Sequence, residues 1–402
     1  MRILISGASI AGPVLAYWLT RAGFDATVVE RAPTLRKTGG HAVDLFRPAM
    51  EISAKMGVLA YIEERATGTD TLTLYREGRR RPARIDLTKI VAAASDQHVE
   101  IMRDDLSEIY YDAGRDHVEY LFGDSITAIS PDGEVTFERT ASRRFDVVVG
   151  ADGLHSNVRR LIFGEEAKLT RFIGGHLAVL SAPKALSVDG EMVVHVRAGR
   201  LAGIYSADHL DNARALFMFR TKEELQYHHR DVLRQKEILR DAFAGMDKQV
   251  DGWLDELDRT PAFYFDSITQ LQLDTWSSGR VTLVGDAGYC PGPAVGGSTS
   301  LAVLGAYVLA GELANANGDH AQAFAAYERE MKPLVLRSRT FARGAAKTVI
   351  PGSAASVWAV TRGAQLVSLL PSALTRTIAK LNSKGVRMYD SMRVKNYRQL
   401  TR

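Results

Sequence analysis

Residues 2–30 read RILISGASIAGPVLAYWLTRAGFDATVVE, and this stretch decides the fold. The hydrophobic run Arg2–Ser6 predicts a short buried strand, and the helical pattern that follows the next turn ends at Gly23. Ala26–Glu30 then predicts a second strand. A strand, a helix and a strand of these lengths indicate a βαβ unit, whose two strands are parallel members of one sheet.

The turn of this unit, residues 7–12, has the pattern G-x-S-x-x-G, and Glu30 follows Gly12 by 18 positions. Such a turn directs backbone N–H groups and the positive end of a helix dipole toward a pyrophosphate, and an acid after the second strand accepts hydrogen bonds from a ribose. The pattern therefore predicts a dinucleotide site. A turn that serves packing alone is the alternative, because Ser9 stands where a second glycine is usual.

The composition is that of an ordinary globular protein, with 402 residues, 46% hydrophobic and 24% charged. This length predicts two or three domains, and the composition excludes a disordered or fibrous chain. The single cysteine, Cys290, cannot form an intramolecular disulfide, and the first residues do not resemble a secretory leader, so we expect a cytoplasmic protein. No apolar run reaches the roughly 18 residues of a membrane helix, so no transmembrane segment is predicted.

The rest of the chain divides into segments of different pattern. Residues 41–59 have helix-like apolar spacing, and the arginine-rich residues 73–86 predict a surface hairpin. Short strands between residues 117 and 139 predict an antiparallel insertion, and the strand-rich region 172–220 predicts a separate sheet. We therefore divide the chain into a first domain at 1–165 and 271–330, a second sheet domain at 166–270 and a helical C-terminal region at 331–402.

The charge is unevenly distributed along the chain. The net charge is +4, but residues 331–402 contain 14 Lys and Arg against one acid, Asp390, so this tail carries +13 and the remainder −9. We interpret the tail as helices packed across the two domains with a solvated basic face; interfacial membrane binding, a lid and a homodimer contact are alternatives. It lacks interleaved aromatic residues and a nucleic-acid motif, so no nucleic-acid partner is predicted.

Two further segments join the first motif, although they lie far from it in the chain. The three segments are residues 7–12 with Glu30 and Arg31, residues 146–159 (DVVVGADGLHSNVR), and Gly285–Ala287 followed by Pro293 and Gly296. Together they resemble the class A flavoprotein monooxygenases, the aromatic-hydroxylase family with the p-hydroxybenzoate hydroxylase fold that also includes tetracycline-inactivating enzymes. The resemblance extends over roughly residues 1–315.

The resemblance implies an α/β fold with a Rossmann-like FAD-binding domain, an interleaved antiparallel-sheet domain for the substrate and a helical C-terminus. It also implies FAD as cofactor, NADPH or NADH as reductant, dioxygen, and an aromatic or polycyclic small-molecule substrate. A C4a-hydroperoxyflavin would hydroxylate this aromatic or polyketide-like molecule without a catalytic side-chain nucleophile. The residues assigned to the cofactor are Gly7, Ser9, Ile10, Ala11, Gly12, Glu30, Arg31, Arg103, Asp152, Asp286, Pro293, Gly296, Gly297 and Ser298.

Two of these assignments also have a physical argument. Arg103 lies at a predicted strand-to-helix transition and can reach a phosphate; an ion pair with Asp104 or Asp105 is the alternative. The loop at 293–297 precedes a helix whose N terminus offers N–H donors to the negative charge of reduced flavin. Four residues depart from the family pattern, namely Tyr289, Ser298, Ser300 and Gly305. The contacts to the flavin ring are therefore expected to differ in detail from those of the family, and no hydrogen bond to the flavin is assigned to Gly305.

Candidate substrate residues lie on the second sheet, namely His195, Arg197, Tyr205, Phe217 and Phe219. Because side chains alternate between the two faces of a strand, only about half of them can face a cavity, and the rest would be core or solvent-exposed. Cys290 is interpreted as a neutral packed thiol, and no His or Cys spacing predicts a metal site. The alternative functions are a flavin-dependent oxidase or reductase on the same scaffold and a non-catalytic flavoprotein that sequesters a ligand.

Overall fold

The computed structural model describes residues 1–35, 39–79, 81–88, 97–293, 297–369 and 388–400. Its strands, in chain order, are β1 (Arg2–Ser6), β2 (Asp25–Glu30), β3 (Ala42–Phe46), β4 (Thr71–Arg76), β5 (Ala83–Asp86), β6 (His98–Met102), β7 (Glu119–Phe122), β8 (Ile126–Ile129), β9 (Glu134–Phe137), β10 (Arg143–Arg144), β11 (Val147–Gly150), β12 (Thr170–Pro183), β13 (Glu191–Arg197), β14 (Arg200–Tyr205), β15 (Asn212–Phe219), β16 (Phe263–Leu271), β17 (Ser277–Ser278) and β18 (Val281–Leu283). Its α-helices are α1 (Ala11–Arg21), α2 (Arg47–Lys55), α3 (Leu59–Glu64), α4 (Arg103–Gly114), α5 (Asn157–Phe163), α6 (Val232–Phe243), α7 (Lys248–Leu254), α8 (Asp286–Tyr289), α9 (Ser298–Asn315), α10 (His320–Val349) and α11 (Ala354–Leu369).

The first domain is built on a six-stranded sheet in the order β17-β18-β11-β1-β2-β7. β1 is parallel to both β2 and β11, and Ile5 is aligned with Val28 on one side and Val149 on the other. β1 and β11 are buried along nearly their whole length, which explains why they read as continuous hydrophobic runs. The βαβ unit predicted for residues 2–30 is present, with α1 between its strands.

Two small sheets interrupt this domain. β8, β9 and β10 form an antiparallel sheet, whereas β7, also predicted as part of that insertion, joins the six-stranded sheet in parallel with β2. β3 and β6 form an antiparallel pair. The segment 41–59, whose apolar spacing is helix-like, therefore begins with a strand, and the helix starts only at Arg47.

The second domain is a seven-stranded sheet in the order β16-β12-β15-β14-β13-β4-β5. The strands between residues 166 and 270 pair antiparallel, but β4 and β5 come from the segment 1–165. β4 lies parallel to β13, with Thr73 opposite Val193. The hairpin of residues 73–86 is thus part of this sheet, and the segment 1–165 contributes to both domains.

The two faces of the seven-stranded sheet pack against different helices. We call the outer face the one that packs against α6 and α7 and contains Phe217. The inner face contains Ile268 and packs against Ala346 near the C-terminal end of α10. The inner face is directed toward the first domain, since the Tyr205 hydroxyl accepts a hydrogen bond of 2.8 Å from the Ala42 N–H.

The C-terminal region connects the two domains. α10 packs against α9 and β12, and α11 lies along β5 and β13. Residues 388–400 return to the first domain, where Lys395 and Tyr397 bond the buried Glu312 carboxylate of α9 at 2.6 and 2.7 Å. The α/β fold with an interleaved sheet domain and a helical C-terminus is confirmed. Within the described residues, no helix has both the length and the apolar character that a bilayer crossing requires.

Candidate active site

A cavity of about 430 Å³ lies between the two domains, at the carboxyl ends of the parallel strands. Ligands of open α/β sheets bind at this edge. The cavity is bordered by the turn after β1, the start of α4, the start of α9 and β16. Most residues assigned to the cofactor line it: Gly7, Ser9, Ile10, Ala11, Glu30, Arg31, Arg103, Asp152, Asp286, Pro293 and Ser298. Gly12 and Gly297 do not line it directly, and Gly296 lies outside the described residues.

Gly7 and Gly12 make the first turn tight. Gly7 has a φ of +107°, and a Cβ atom there would lie 2.6 Å from the Ala151 carbonyl oxygen. A Cβ atom on Gly12 would lie 1.9 Å from the Gly7 carbonyl oxygen. Glycine at both positions therefore lets α1 begin directly at the end of β1 and leaves the backbone open to a ligand.

Two helix N termini open onto the cavity. α1 follows Ile10, and α9 follows Gly297, which has a φ of +77°. No side chain of the described residues caps either helix, and neither first turn contains an acid. The first N–H groups and the positive dipole ends are therefore available to negative charge in the cavity.

Glu30 ends β2 beside the turn. Its carboxylate accepts hydrogen bonds of 2.9 Å from the N–H groups of Ala8 and Ala32, so it also holds the shape of the turn. Arg31, the next residue, is exposed at the rim of the same cavity. An acid in this position can in addition accept hydrogen bonds from a ribose.

Arg103 borders the turn from the opposite side. Its guanidinium donates a hydrogen bond of 3.1 Å to the Ser9 hydroxyl, at the position where the second glycine is missing. The acids considered as alternative partners are engaged elsewhere, since Asp104 accepts from the Gly40 N–H and Asp105 pairs with His209. Arg103 is therefore directed to the turn, where its charge can meet a phosphate.

Asp152 holds the Asp-Gly segment against α5. Its carboxylate accepts hydrogen bonds from the N–H groups of Asn157 and Val158, at 2.9 and 3.1 Å, and from the Ser156 hydroxyl. Burial raises the pKa of this carboxyl, while these hydrogen bonds lower it. Asp152 lines the cavity, but its oxygens are largely used to fix the backbone of this wall.

Arg159 ties the second motif segment to the third. Its side chain is only 1% exposed, donates to the carbonyls of Ala287, at 3.0 Å, and Leu154, and pairs with Glu166 at 2.6 Å. Although it ends the 146–159 segment, the sequence did not assign it to the site, because its partners become visible only in three dimensions.

Asp286 begins α8 and reaches the cavity wall near α9. Burial raises the pKa of its carboxyl, and the charge of Arg103 partly offsets this rise. Cys290 lies four residues later and is fully buried, and burial raises the pKa of its thiol, so it is a neutral packed side chain as expected. Asp286 can accept hydrogen bonds from a polyhydroxylated ligand in the cavity.

His155 bridges the two domains, a role that the sequence did not predict. Its ring hydrogen-bonds Asp266 on the inner face at 3.0 Å and Glu166 at 2.8 Å, and it stacks on His229 at 4.7 Å. Burial lowers the pKa of His155, but the two carboxylates outweigh this effect and raise it to about 10. His155 is therefore a charged imidazolium at neutral pH.

A neutral histidine faces the same cavity from the other side. Burial, followed by the charge of Arg103, lowers the pKa of His41 to about 4. Its ring lies 6.2 Å from that of Tyr264, whose hydroxyl donates to Asp266 at 3.2 Å. Neither residue was predicted; the alternation of β16 marks Tyr264 and Asp266 as one face, but the sequence does not tell which face meets the cavity.

None of the five candidate substrate residues lines this cavity. Phe217 and Phe219 belong to the outer-face core, where both make edge contacts with Phe243 of α6. They are separated from the cavity by the sheet itself. Their even spacing along β15 places them on one face, and that face is the one covered by helices.

The other three candidates are split between the faces. His195 is on the outer face and hydrogen-bonds Gln249 of α7 at 2.9 Å, and Arg197 ends β13 with its Nε 3.5 Å from a carboxylate oxygen of Glu77. Tyr205 is on the inner face, and its hydroxyl accepts a hydrogen bond from the backbone N–H of Ala42 in β3. The structure thus brings none of them to the cofactor cavity.

Two of the departures from the family pattern compensate each other. A Cβ atom on Gly305 would lie 1.9 Å from the Tyr289 hydroxyl, so the larger tyrosine occupies space that a side chain at 305 would need. The hydroxyls of Tyr289 and Tyr327 are hydrogen-bonded at 3.0 Å, and the Tyr327 hydroxyl is 3.1 Å from the Leu283 carbonyl oxygen. Ser300, a third departure, hydrogen-bonds the Phe46 N–H at 2.9 Å.

The cavity fits a flavin dinucleotide in its chemistry. It combines a turn that a Cβ atom would block, two uncapped helix N termini and carboxyl groups at Glu30 and Asp286. Within the described ranges, no group of three or more His, Cys, Asp or Glu is arranged to hold a metal ion. These features define an α/β protein that binds a dinucleotide cofactor between a Rossmann-like domain and a second sheet.

Comparison with known proteins identifies this class further. Residues 1–342 match the family described as the FAD binding domain. An uncharacterized protein of Mycobacterium tuberculosis is 42% identical over 348 residues, covering 84% of this chain and 91% of that protein. A flavin-dependent monooxygenase of Legionella longbeachae is 34% identical over 344 residues, covering 85% and 87%. The crystal structure of tetracycline destructase Tet(51) is 30% identical with a TM-score of 0.82, covering 98% of this chain and 99% of that one.

The chain belongs to the FAD-binding-domain family of flavin-dependent monooxygenases, as its three motif segments indicated. The protein is therefore a flavoprotein monooxygenase whose cofactor is FAD.

Proposed function

We propose that this monooxygenase consumes NAD(P)H and hydroxylates a hydrophobic aromatic or polyketide-like small molecule. NAD(P)H, a proton, dioxygen and the substrate are converted into NAD(P)⁺, water and the hydroxylated product, so each oxygen atom of dioxygen has a destination. When bound, FAD supplies the electron transfer and the activation of dioxygen. The protein's own part is to bind, to orient and to exclude water.

The observation that carries this proposal is that the cofactor cradle and the inner face of the second sheet border one cavity. The turn at residues 7–11 forms one side, and Tyr264 and Asp266 of β16 form another. A cofactor and a second small molecule can therefore be held next to each other. The tetracycline destructase Tet(51) has the same fold, and the tetracycline in its name is a polycyclic compound. This similarity supports a polycyclic substrate for the present protein.

The residues present suggest how FAD is held. The N terminus of α1 with residues 7–11 would bind the pyrophosphate, and Glu30 the ribose. Arg103 would add a positive charge next to the phosphates. Asp286 and the N terminus of α9 would bind the flavin part, where a dipole end stabilises negative charge on the reduced ring.

The inner face supplies a surface for a hydrophobic substrate. Leu201 and Leu216 are half-buried there and belong to the same apolar cluster as Val349 of α10. Arg214 adds a buried guanidinium that donates to the Gly40 carbonyl at 3.2 Å. We propose this face as the substrate surface in place of the outer-face residues, because it is the face directed toward the cofactor cradle.

NADPH or NADH is proposed as the reductant on the resemblance to the family alone, because the charge of His155 at the cavity wall is balanced by Asp266 and Glu166. A cytoplasmic location and a homodimer remain predictions from the sequence.

The test is an absorbance and turnover experiment on the purified protein. We expect the bands of oxidised FAD, bleaching by NADPH or NADH without air, and faster bleaching with one member of a panel of phenolic and polycyclic compounds. Readmission of ¹⁸O₂ should then give a product containing one labelled atom. Hydrogen peroxide with unlabelled product would indicate an oxidase or reductase, and ligand binding without faster NAD(P)H oxidation would indicate a sequestering protein.

A variant tests the cofactor site separately. Asp286→Ala should lower the FAD content of the purified protein, because it removes the carboxylate at the start of α8. Asp116→Ala is the matched control, since Asp116 has a side chain that is 86% exposed and lies outside the cavity. Equal FAD content in both variants would contradict the placement of the flavin part.

A further inference from the structure

Helix α11 turns an apolar face outward. Trp358 and Leu366 are 56% and 63% exposed and lie about 80° apart around the helix axis. Val357 and Thr361, on the opposite side of the helix, are buried against the sheet domain. A second exposed apolar pair, Val232 and Leu233, lies at the start of α6, so apolar exposure alone does not distinguish α11. What distinguishes α11 is the groove of basic side chains beside it.

Basic side chains surround this face. Arg362 lies on α11 itself, and Arg76 and Arg79 lie at the tip of the β4–β5 hairpin beside it. Burial, followed by the charges of Arg362 and Arg79, lowers the pKa of Arg76, so the three guanidinium groups are near one another. Within the described part of the chain, none of the three forms an ion pair with an acid.

The hairpin and α11 form one continuous surface. A groove of about 310 Å³ runs between them, lined by Arg76 and Arg79 on one side and by Val357 and Trp358 on the other. The acid in this groove, Glu77, is paired with Arg197. The groove therefore keeps an excess of positive charge next to an exposed indole ring.

The C-terminal sequence is basic as a whole, although several of its cations lie away from this groove: Lys395 pairs with Glu312, and Arg339 is buried. Residues 331–402 carry +13, while the rest of the chain carries −9. A second copy of this surface would repel the first, because both carry the same charge. An indole ring and aliphatic side chains bordered by arginines instead match the interface of an anionic bilayer, where the rings enter the headgroup region and the arginines meet lipid phosphates.

We propose that α11 and the tip of the β4–β5 hairpin form a docking surface for an anionic lipid bilayer. The contact is peripheral: the helix lies on the membrane with Trp358 and Leu366 in the headgroup region. The surface is distinct from the FAD cavity, whose walls contain no residue of α11 or the hairpin within the described chain. Docking leaves the cofactor site free.

The experiment uses the FAD-loaded full-length protein and extruded vesicles. One set is phosphatidylcholine alone, and the other contains equal parts phosphatidylcholine and phosphatidylglycerol. The test variants are Trp358→Ser with Leu366→Ser, and Arg76→Glu with Arg79→Glu. The matched control is Leu233→Ser, which removes a side chain that is 77% exposed on α6. Unchanged FAD absorbance shows that each variant is folded.

We expect the protein to sediment with the anionic vesicles, less so as salt is added, and each double variant to bind at least about tenfold more weakly. Leu233→Ser should bind like the parent protein. Tryptophan fluorescence gives a second readout, because Trp18, Trp253 and Trp276 are each 1% exposed and only Trp358 can enter a bilayer. Its emission should shift to shorter wavelength with anionic vesicles.

Three results would overturn the proposal. The first is no sedimentation with anionic vesicles, and the second is binding that both double variants retain. The third is a concentration-dependent dimer that Trp358→Ser with Leu366→Ser abolishes while vesicles are not bound, which would assign the face to a second copy of the chain.

Discussion

The wall around the first turn and the inner face of the second sheet border the same cavity but are built differently. The first is made of backbone: Gly7 and Gly12 exclude side chains, and two helix N termini present N–H groups. The second is made of side chains, such as Tyr264 and Asp266, carried by strands that pair across long sequence distances. A site made of backbone groups is encoded by short local motifs. A surface made of side chains depends instead on which face of a strand meets the other domain.

The largest expected effect concerns two neighbours on β15. Phe217→Ala removes a fully buried ring from the outer face and should destabilise the protein by about 3–5 kcal/mol in urea unfolding. Leu216→Ala, on the inner face, should cost less stability because Leu216 is only half-buried, but should raise the KM for the substrate. A raised KM for Phe217→Ala with unchanged KM for Leu216→Ala would reverse the assignment of the two faces.

A methyl group in the turn tests the backbone side of the comparison. Gly12→Ala should destabilise the protein by about 1–3 kcal/mol and lower its FAD content, because the new Cβ would meet the Gly7 carbonyl oxygen at 1.9 Å. Gly252→Ala, in α7 with no atom within 4 Å of the new Cβ, is the control and should be neutral or stabilising. Equal stability of both variants would mean that the turn tolerates a side chain.

The tyrosine pair near the cofactor site gives a smaller effect. Tyr327→Phe should cost about 1 kcal/mol, because the buried Tyr289 hydroxyl loses its hydrogen-bond partner. Tyr61→Phe, at a ring that is 60% exposed, is the control for removing a hydroxyl. Thermal unfolding of both variants, with the flavin spectrum recorded, checks the result; an unchanged Tm for Tyr327→Phe would show that the pair does not hold α8.

The smallest effect is the pH dependence of the bridge between the domains. Since the pKa of His155 is raised from 6.5 to about 10, its stabilising charge is fully present below about pH 6.5 and is lost as the pH rises toward 10. The difference in Tm between the protein and His155→Gln should therefore be largest near pH 6 and shrink toward pH 10. A difference that stays constant over this range would rule out a charged His155.

Sequence patterns anticipated the elements of the first domain well because they are local. The βαβ unit at residues 2–30, the buried strand ending at Gly150 and the helix after residue 297 are each decided by neighbouring residues. The parallel pairing of β4 with β13 was not anticipated, because it joins residues that are more than a hundred positions apart. The same is true of Arg159 and of the bridge from His155 to Asp266.

By itself, the sequence determined the βαβ unit and most of the residues around the turn, since glycine spacing and hydrophobic periodicity act on the nearest backbone. The fold family and the cofactor followed from the resemblance of its three motif segments to a known family. Only the tertiary structure decided which face of the second sheet meets the cofactor cavity. Phe217 packs under the helices of the outer face, whereas its neighbour Leu216 lies on the inner face. It also decided that the apolar face of α11 lies beside the arginines of a distant hairpin. The physical reason is that strand alternation fixes which residues share a face, whereas packing against other elements fixes where that face points.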